Sequence, residues 1–190
     1  MEGFEPGAEC AECGGRCCRE KGCSLSPADM ARALRSVGAA KVLDTDSGAI
    51  GSVCRDQLLS LLTDPGRGLY AIDFMNGAQG PVYYLRMRHK CYTFIGVDAI
   101  GECTALSEDG CLLSFTERPR GGRELESHPD LHCVQHYERE EMLRDWEPYQ
   151  ELLASIWEEY HRQFTEDGTF EKCDEAYFAW LRERRESGAR

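Results

Sequence analysis

Residues 10–23 have the sequence Cys-Ala-Glu-Cys-Gly-Gly-Arg-Cys-Cys-Arg-Glu-Lys-Gly-Cys. Five of these fourteen side chains are thiols, glycines stand where the chain can bend, and almost none is apolar. Such a segment cannot build a hydrophobic core, so its order has to come from its sulfur atoms, through disulfides or through a metal. The use made of these thiols therefore decides how the rest of the chain is arranged.

The composition is typical of a globular domain. Apolar residues make up 42% of the chain and charged residues 29%, which leaves enough apolar material for a core. The length of 190 residues predicts a single domain, residues 1–190. Because nucleic acids and anionic membranes attract basic surfaces, the formal charge of -12 argues against either as a partner. A protein partner stays open, and no residue identifies it.

The chain is predicted to be cytoplasmic. It has no stretch of roughly 18 apolar residues that could span a membrane, and residues 1–6 lack the basic and then apolar order of a secretory signal. In a reducing compartment, cysteines are more often metal ligands or core thiols than members of disulfides. The total of eleven is odd, so a disulfide framework would leave at least one unpaired. We therefore expect metal binding.

Two helices are predicted after the first cysteine segment. Ser26 as N-cap, Pro27 at the first helical position and Asp29 as the partner in a capping box begin the first helix. Gly38 is its natural C-terminal stop. The second helix is predicted over about residues 50–62, where apolar side chains recur at helical spacing.

The middle of the chain is predicted to contain a β-hairpin. Residues 69–74 and 82–87 are rich in strand-forming side chains and flank a loop at residues 76–81. Residues 91–95 are the candidate third strand. Residues 101–133 are again short of apolar side chains, so we expect irregular structure that is held by ligands.

The last third of the chain, residues 134–190, is predicted to be helical. One helix covers residues 134–146, a second begins near Pro148, and a third begins near Phe170. The predicted fold class is therefore α+β and helix-rich. It combines a small β-hairpin or meander in the middle, an irregular metal-held cysteine-rich region, and a helical C-terminal third.

A second group of cysteines, Cys103, Cys111 and Cys133, lies in the irregular region. Cys103 and Cys111 flank a segment that is predicted to be a short strand followed by a tight turn. The first group has one thiol more than a single tetrahedral ion binds, which makes the second group a source of further ligands. The adjacent Cys17 and Cys18 are expected to project in divergent directions, so that each serves a different metal.

Both groups resemble a known family. The pattern of Cys10, Cys13, Cys17 and Cys18 is similar to the Cys-x2-Cys-x2-Cys-Cys signature of the YkgJ-type cysteine-cluster proteins, a zinc- or iron-chelating domain. The second half of the family pattern resembles Gly101-Glu102-Cys103-Thr104-Ala105-Leu106, Gly110-Cys111-Leu112-Leu113, and Glu117-Arg118-Pro119 with Arg123. The resemblance implies a bacterial protein whose metal-binding segments are residues 1–25 and 101–133. It implies no reaction.

The chain departs from the family pattern at two places. One extra residue separates the second and third cysteines, which a loop can accommodate. The family's last cysteine falls at Gly122 of this chain. The missing ligand would therefore have to come from Cys133, from His132 or from His128.

The sequence as a whole predicts two zinc ions, each held by four thiolates as in closed structural sites. The eight predicted ligands are Cys10, Cys13, Cys17, Cys18, Cys23, Cys103, Cys111 and Cys133. The predicted function is that of a zinc-binding protein with a structural or interaction role, in which the metal joins the N-terminal and central segments during folding. The alternative is an iron–sulfur or redox protein that uses the same thiols.

Catalysis is neither predicted nor excluded. No nucleophile triad, phosphate-binding loop or dinucleotide fingerprint occurs in the sequence, so no catalytic residue is assigned. Cys54, Cys91 and Cys173 lie among apolar residues and are expected to be buried core thiols. Cys91 is also a candidate ligand because it lies near the second group.

Two further pairs of residues have alternative interpretations. His132 and His136 are four apart on a predicted helix, which suits a metal site, but a solvated helix face is favoured. Arg118 and Arg123 bracket a glycine-rich bend where they could bind an anion. They could equally hydrogen-bond carbonyl groups or thiolates around the metal, and we favour this role.

Overall fold

The computed structural model describes residues 15–36, 52–63, 70–77, 79–88, 93–95, 98–107, 110–128 and 133–166. It confirms the α+β class, since it combines helices with small antiparallel sheets. In chain order the elements are α1 (Arg16–Lys21), β1 (Cys23–Ser24), α2 (Pro27–Ser36), α3 (Ser52–Thr63), β2 (Tyr70–Gly77), β3 (Gly80–Met87), β4 (Thr93–Ile95), β5 (Asp98–Ile100), β6 (Leu106–Ser107), β7 (Gly110–Cys111), a 3₁₀ turn (Phe115–Glu117), α4 (Arg120–Arg123), β8 (Leu125–Glu126), β9 (Val134–Gln135), α5 (Arg139–Trp146), a second 3₁₀ turn (Glu147–Tyr149) and α6 (Gln150–Glu166). Among the helices of these ranges, none is both long and apolar enough to traverse a membrane.

Helix α2 begins as the sequence predicts. The Ser26 amide and hydroxyl each donate to Asp29 Oδ2 at 2.9 Å, and the Ser26 hydroxyl oxygen accepts the Asp29 amide at 3.2 Å. This is a reciprocal capping box, and Pro27 occupies the first helical position. The second predicted helix is also confirmed, as α3.

The central sheet has the order β1–β3–β2, and both outer strands run antiparallel to β3. The predicted hairpin is confirmed as β2 and β3, with Ile72 opposite Leu85. The third strand is β1, which places Cys23 opposite Met87, whereas the candidate at residues 91–95 contributes β4, paired with β5 in a separate sheet. The strand predicted there is therefore present over Thr93–Ile95, and the sequence did not indicate β1 because its two residues are too few to carry an alternating pattern.

The turn of the hairpin is shorter than predicted. Gly77 pairs with Gly80 and Asn76 pairs with Pro81, so most of the expected loop at residues 76–81 belongs to the strands. Gly80 has a φ of 127°, which favours glycine at the turn. Alternate pairs of an antiparallel ladder point their amides away from each other, so a proline one pair beyond the turn removes no hydrogen bond.

The segment between β8 and α5 differs most from its prediction. Residues 134–146 were expected to be one helix, but the first two form β9, and α5 begins only at Arg139. The Gln135 side chain stabilises the non-helical conformation, because it donates to the Gly121 carbonyl at 2.8 Å and accepts the Tyr137 amide at 3.1 Å. Helix periodicity in the sequence does not register such a local polar contact.

Helix α6 confirms the helix predicted after Pro148. Its buried face includes Leu153, Ile156 and Tyr160, none of which is more than 1% exposed. The helix predicted near Phe170 lies outside the described residues.

The core forms where α2, α3, α5 and α6 pack around the β2–β3 hairpin. Its buried members include Met30, Leu34, Leu58, Leu62, Ile72, Leu85, Met142, Trp146, Leu153, Ile156 and Tyr160. The indole N–H of Trp146 donates to the Leu25 carbonyl at 2.9 Å, which connects the end of α5 to the start of α2. Trp146 is therefore a core residue.

Asp73 and Arg88 form a buried ion pair that the sequence did not indicate. Both side chains are 0% exposed, Arg88 Nε donates to Asp73 Oδ2 at 3.1 Å, and a second guanidinium nitrogen donates to Oδ1. The bend after α1 packs on this end of β3, since a Cβ at Gly22 would lie 2.7 Å from Arg88 Cβ. The bend at Gly22 is therefore held against the sheet beside the ion pair.

Candidate metal centre

Helix α1 and strand β1 carry three of the predicted ligands, Cys17, Cys18 and Cys23. Gly22 connects the two elements with a φ of 65°, a conformation that other residues rarely adopt. A Cβ at this position would also lie 2.6 Å from the Met87 carbonyl oxygen, so only glycine lets the chain pass this close to β3. The bend therefore brings the N-terminal thiols to the edge of the central sheet.

Cys18 and Cys103 bring the two predicted metal-binding segments together. The Cys103 amide donates to the Cys18 carbonyl oxygen at 2.6 Å, and the Cys18 thiol is hydrogen-bonded to the sulfur atoms of Cys103 and Cys17. Cys103 is only 4% exposed. The thiol–thiol hydrogen bond raises the pKa of Cys18 and lowers the pKa of Cys103, because the Cys18 proton stabilises a thiolate on Cys103.

Cys23 and Cys111 lie near this pair. Cys23 is half-buried, and burial raises its pKa, with a further increase from the charges of Cys103 and Cys111. Arg86, in β3, has the opposite effect and lowers the pKa of both Cys23 and Cys103. Among the described residues, the thiols within electrostatic reach of the Cys18–Cys103 contact or of Cys23 are therefore Cys17, Cys18, Cys23, Cys103 and Cys111.

The described residues contain only part of the predicted ligand set. The cysteines whose side chains they include form no disulfide, and these are Cys17, Cys18, Cys23, Cys103, Cys111 and Cys133. Across the described ranges, no three His, Cys, Asp or Glu side chains converge in a geometry that coordinates a metal. The predicted ligands Cys10 and Cys13 lie outside the described residues, as do the alternative ligands Cys91 and His132. Cys173 and the side chain of Cys54, both expected to be core thiols, also lie outside the described residues.

Cys133 is the predicted ligand with the least support. It is half-buried directly before β9 and, within the described part of the chain, makes no hydrogen bond and no electrostatic contact. Gly122, where the family has its last cysteine, lies beside a different thiol, because a Cβ there would be 3.1 Å from Cys23 Sγ. Cys23 therefore lies next to the position from which the missing ligand would act.

The predicted helical pair of histidines is wrong at its second member. His136 lies between β9 and α5 rather than on a helix, and its Nε2 is 2.8 Å from Glu126 Oε2. His128, the other candidate replacement ligand among the described residues, is exposed. Within the described ranges, neither residue belongs to a group of three side chains that could hold a metal.

The two arginines of the glycine-rich bend contact carbonyl groups, one of the roles considered from the sequence. Arg118 Nε donates to the Leu113 carbonyl at 3.4 Å, and Arg123 donates to the Arg118 carbonyl oxygen. Among the described residues, the cation whose charge lowers the pKa of Cys23 and Cys103 is instead Arg86. The sequence did not indicate it, because Arg86 is far in the chain from the cysteines of both groups and reaches β1 only through the pairing that sets it opposite Ser24.

Asp29 connects α2 to α4 as well as capping its own helix. Its side chain is 4% exposed. Besides the Ser26 bonds, Oδ2 accepts the Arg120 amide at 2.7 Å, while Oδ1 accepts Arg32 at 2.9 Å and Arg123 at 3.4 Å. The sequence predicted the capping role but not the contacts to α4, because those partners are far from Asp29 in the chain.

Arg120 fixes α4 to α5. Its guanidinium donates to Glu124 at 2.7 Å, Glu141 at 2.6 Å and Asp145 at 2.9 Å, and lies 4.3 Å from the centre of the Tyr137 ring. The Tyr137 hydroxyl donates to the same Asp145 oxygen at 2.9 Å. Burial, followed by this hydrogen bond, raises the pKa of Tyr137. The network supports the short helix that packs on β1.

Comparison with protein-family models, with curated proteins and with solved structures found no match to this chain. The resemblance to the cysteine-cluster family therefore rests on the motifs themselves.

A cleft of about 710 Å³ lies at the start of α2. It is lined by Ser26, Pro27, Ala28, Arg32, Phe115, Thr116, Arg120, Arg123, Glu124, Asp145, Pro148 and Tyr149. Its arginines are each paired with a carboxylate, so an anionic ligand would meet compensated charge. No cysteine is among these described lining residues, so the cleft does not expose a thiol to a substrate.

Proposed function

We propose that this protein binds zinc through cysteine thiolates from both its N-terminal and its central segment, and that the metal has a structural or interaction role. The observation that carries the proposal is the contact between Cys18 and Cys103. Two segments far apart in sequence meet there through a backbone hydrogen bond of 2.6 Å and through their sulfur atoms. Thiolate sulfur is a preferred ligand of zinc, and a closed site of this kind contributes directly to folding.

Metal binding at the clustered thiols should depend on pH, because the metal must displace their protons. The hydrogen bonds and burial that raise the pKa of Cys18 and Cys23 favour their neutral forms. A divalent cation would displace these protons and supply the positive charge that a group of thiolates requires. The buried position of Cys103 would then keep water from competing for the ion.

The proposed ligands differ in the structural observations that support them. Cys18 and Cys103 have the most support because their segments are in contact, and Cys17, Cys23 and Cys111 lie within electrostatic reach of this pair or of each other. The described side chains alone form no coordinating group, so a site would also need ligands from outside the described residues. A second ion would depend on Cys10 and Cys13 and on the division of Cys17 and Cys18 between two sites. Cys133 remains a proposed ligand on the strength of the cysteine count alone. We further propose a cytoplasmic location, where the thiols would stay reduced.

Metal analysis of anaerobically purified protein, combined with its absorption spectrum, tests the proposal. We expect at least one tightly bound zinc per chain and no visible absorption, because zinc has a filled d shell. A brown protein that contains iron would favour the iron–sulfur alternative. Fewer than one tightly bound zinc or iron per chain would contradict both.

A further inference from the structure

Cys18 and Cys103 are in contact through both their sulfur atoms and their backbones, yet both are free cysteines. The Cys18 thiol is hydrogen-bonded to the Cys103 sulfur, and the Cys103 amide donates to the Cys18 carbonyl oxygen at 2.6 Å. With standard bond lengths, this backbone contact limits the separation of the two Cα atoms to about 6.5 Å. Because disulfides span Cα separations of roughly 4.4–6.8 Å, the pair can form one without a large movement of either backbone.

The neighbouring thiols fit a disulfide less well. Cys17 also hydrogen-bonds Cys18, but both residues belong to α1. Adjacent Cα atoms of a trans chain are only about 3.8 Å apart, which is below the range of a disulfide. The Cys23 thiol donates to the Ser24 carbonyl oxygen at 3.9 Å. Among the described thiols, Cys18 and Cys103 are therefore the pair that the geometry favours.

The two members of the pair differ in exposure. Cys18 is half-buried, whereas Cys103 is only 4% exposed, so a small oxidant approaches the pair from the side of Cys18. A second thiol in contact with an oxidised sulfur captures it as a disulfide before it is oxidised further. In a reducing compartment, disulfides of this kind are usually transient and redox-sensing rather than structural.

We propose that Cys18 and Cys103 form an oxidation site, at which hydrogen peroxide converts the two thiols into a disulfide. One sulfur attacks a peroxide oxygen, the O–O bond breaks, and the thiol proton leaves with the other oxygen as water. The second sulfur attacks the resulting sulfenic acid, an S–S bond forms, and the S–O bond breaks to release a second water. Two electrons pass from the thiols to the peroxide, and this balance is the same whichever sulfur reacts first.

The inference goes beyond zinc binding, because the disulfide needs no metal. It also gives the proposed function a dependence on peroxide, since two sulfur atoms joined in a disulfide are no longer the thiolates that hold an ion. This consequence alone rests on the proposed function. Exchange with a small thiol breaks the disulfide and returns the protein to its reduced form.

The test treats the reduced full chain, with any metal removed by a chelator, with one equivalent of hydrogen peroxide. Cys18→Ser and Cys103→Ser are treated in parallel. Cys17→Ser is the matched control, because it removes an adjacent half-buried thiol of the same helix and keeps the pair. The measurements are intact mass, peptide mapping after alkylation, and urea unfolding before and after treatment with dithiothreitol. Zinc-loaded samples report the zinc that peroxide releases.

We expect the parent and Cys17→Ser to lose two hydrogens, with the segment of Cys18 linked to that of Cys103. Dithiothreitol should remove the link, and both Cys18→Ser and Cys103→Ser should lack it. Because the disulfide closes a long loop, the oxidised parent should unfold at a urea midpoint about 1–2 M higher than the reduced parent. Zinc-loaded parent should release zinc in step with formation of the disulfide.

An oxidised parent without a link between the two segments overturns the inference. A link that persists in Cys103→Ser, or one that disappears in Cys17→Ser, also overturns it. Should a variant not fold, peptide mapping of the parent decides. A parent chain that forms the link but binds no zinc overturns the proposed function and supports the inference. A parent chain that binds zinc but forms no link after the zinc is removed overturns the inference alone.

Discussion

Although asparagine is similar in size to aspartate, Asp29→Asn should substantially lower the free energy of unfolding. The carboxylate accepts the Ser26 amide and hydroxyl and the Arg120 amide on Oδ2, and two arginines on Oδ1. An asparagine side chain offers one acceptor oxygen. If that oxygen keeps the Oδ2 contacts, the amide NH₂ faces Arg32 and Arg123, donors that it cannot satisfy.

The magnitude follows from the two lost contacts. A hydrogen bond to a charged group contributes about 1.5–3 kcal/mol when buried. The arginine side chains are 46% and 27% exposed, so solvent screening roughly halves each contribution. We therefore expect Asp29→Asn to lower the free energy of unfolding by about 1.5–3 kcal/mol. With a urea slope of about 2 kcal/mol/M, the midpoint should fall by about 0.75–1.5 M.

Urea unfolding followed by circular dichroism and tryptophan fluorescence measures this change. Glu117→Gln is the matched control, because Glu117 also forms a capping box, with Ser114, but at an exposed position. The control should shift the midpoint much less. A midpoint for Asp29→Asn within error of the parent's, or an equally large shift for Glu117→Gln, would refute the role assigned to Asp29.

Three other substitutions give independent predictions. Gly22→Ala should lower the free energy of unfolding by about 1–3 kcal/mol in the same urea assay. Alanine disfavours a φ of 65°, and its Cβ would clash with the Met87 carbonyl. An unchanged midpoint would contradict the close approach of the bend to β3. Because the pKa of Tyr137 is raised in the folded state, the unfolded chain releases the phenol proton at about pH 10 while the folded chain keeps it. The stability that Tyr137 contributes is therefore complete below pH 10 and is lost as the pH rises further. Urea unfolding across this range should show a shallower alkaline loss of stability for Tyr137→Phe than for the parent, and equal slopes would contradict the raised pKa of Tyr137. Gly122→Cys in metal-free protein should form a disulfide with Cys23 on mild oxidation, since the 3.1 Å from Cβ to Sγ is close to the roughly 3.0 Å that an S–S bond imposes. Measurement of the intact mass should show that Gly122→Cys loses two hydrogens more than Gly122→Ala. If the thiols at positions 122 and 23 both remain open to alkylation, the contact between these positions is contradicted.

The parts of the fold that the sequence predicts correctly depend on neighbouring residues. The Ser26–Asp29 capping box is encoded within one helical turn, and the β2–β3 hairpin within two adjacent strand-forming runs. The errors occur where distant segments determine local structure. Strand β1 exists because β3 lies beside it, and Gln135 stays out of a helix because it bonds Gly121.

The same distinction between what neighbouring residues encode and what distant segments determine applies to the candidate site. The cysteine spacing predicts which thiols are ligand candidates, and the family resemblance predicts that the segments of Cys18 and Cys103 belong together. Neither predicts that position 122 faces Cys23, because this contact is made by β1, whose position depends on the folded sheet. Such contacts join residues with no shared periodicity, so no pattern in the sequence reports them.

If one metal site joins the N-terminal and central segments, the zinc content of the protein should depend on Cys103. Cys103→Ser and Cys54→Ser, the latter at a cysteine expected to be a core thiol, are prepared anaerobically in parallel with the parent. We expect Cys103→Ser to lose at least one zinc equivalent relative to the parent and Cys54→Ser to retain the parent's full content. A Cys103→Ser protein that keeps all of its zinc would contradict the claim.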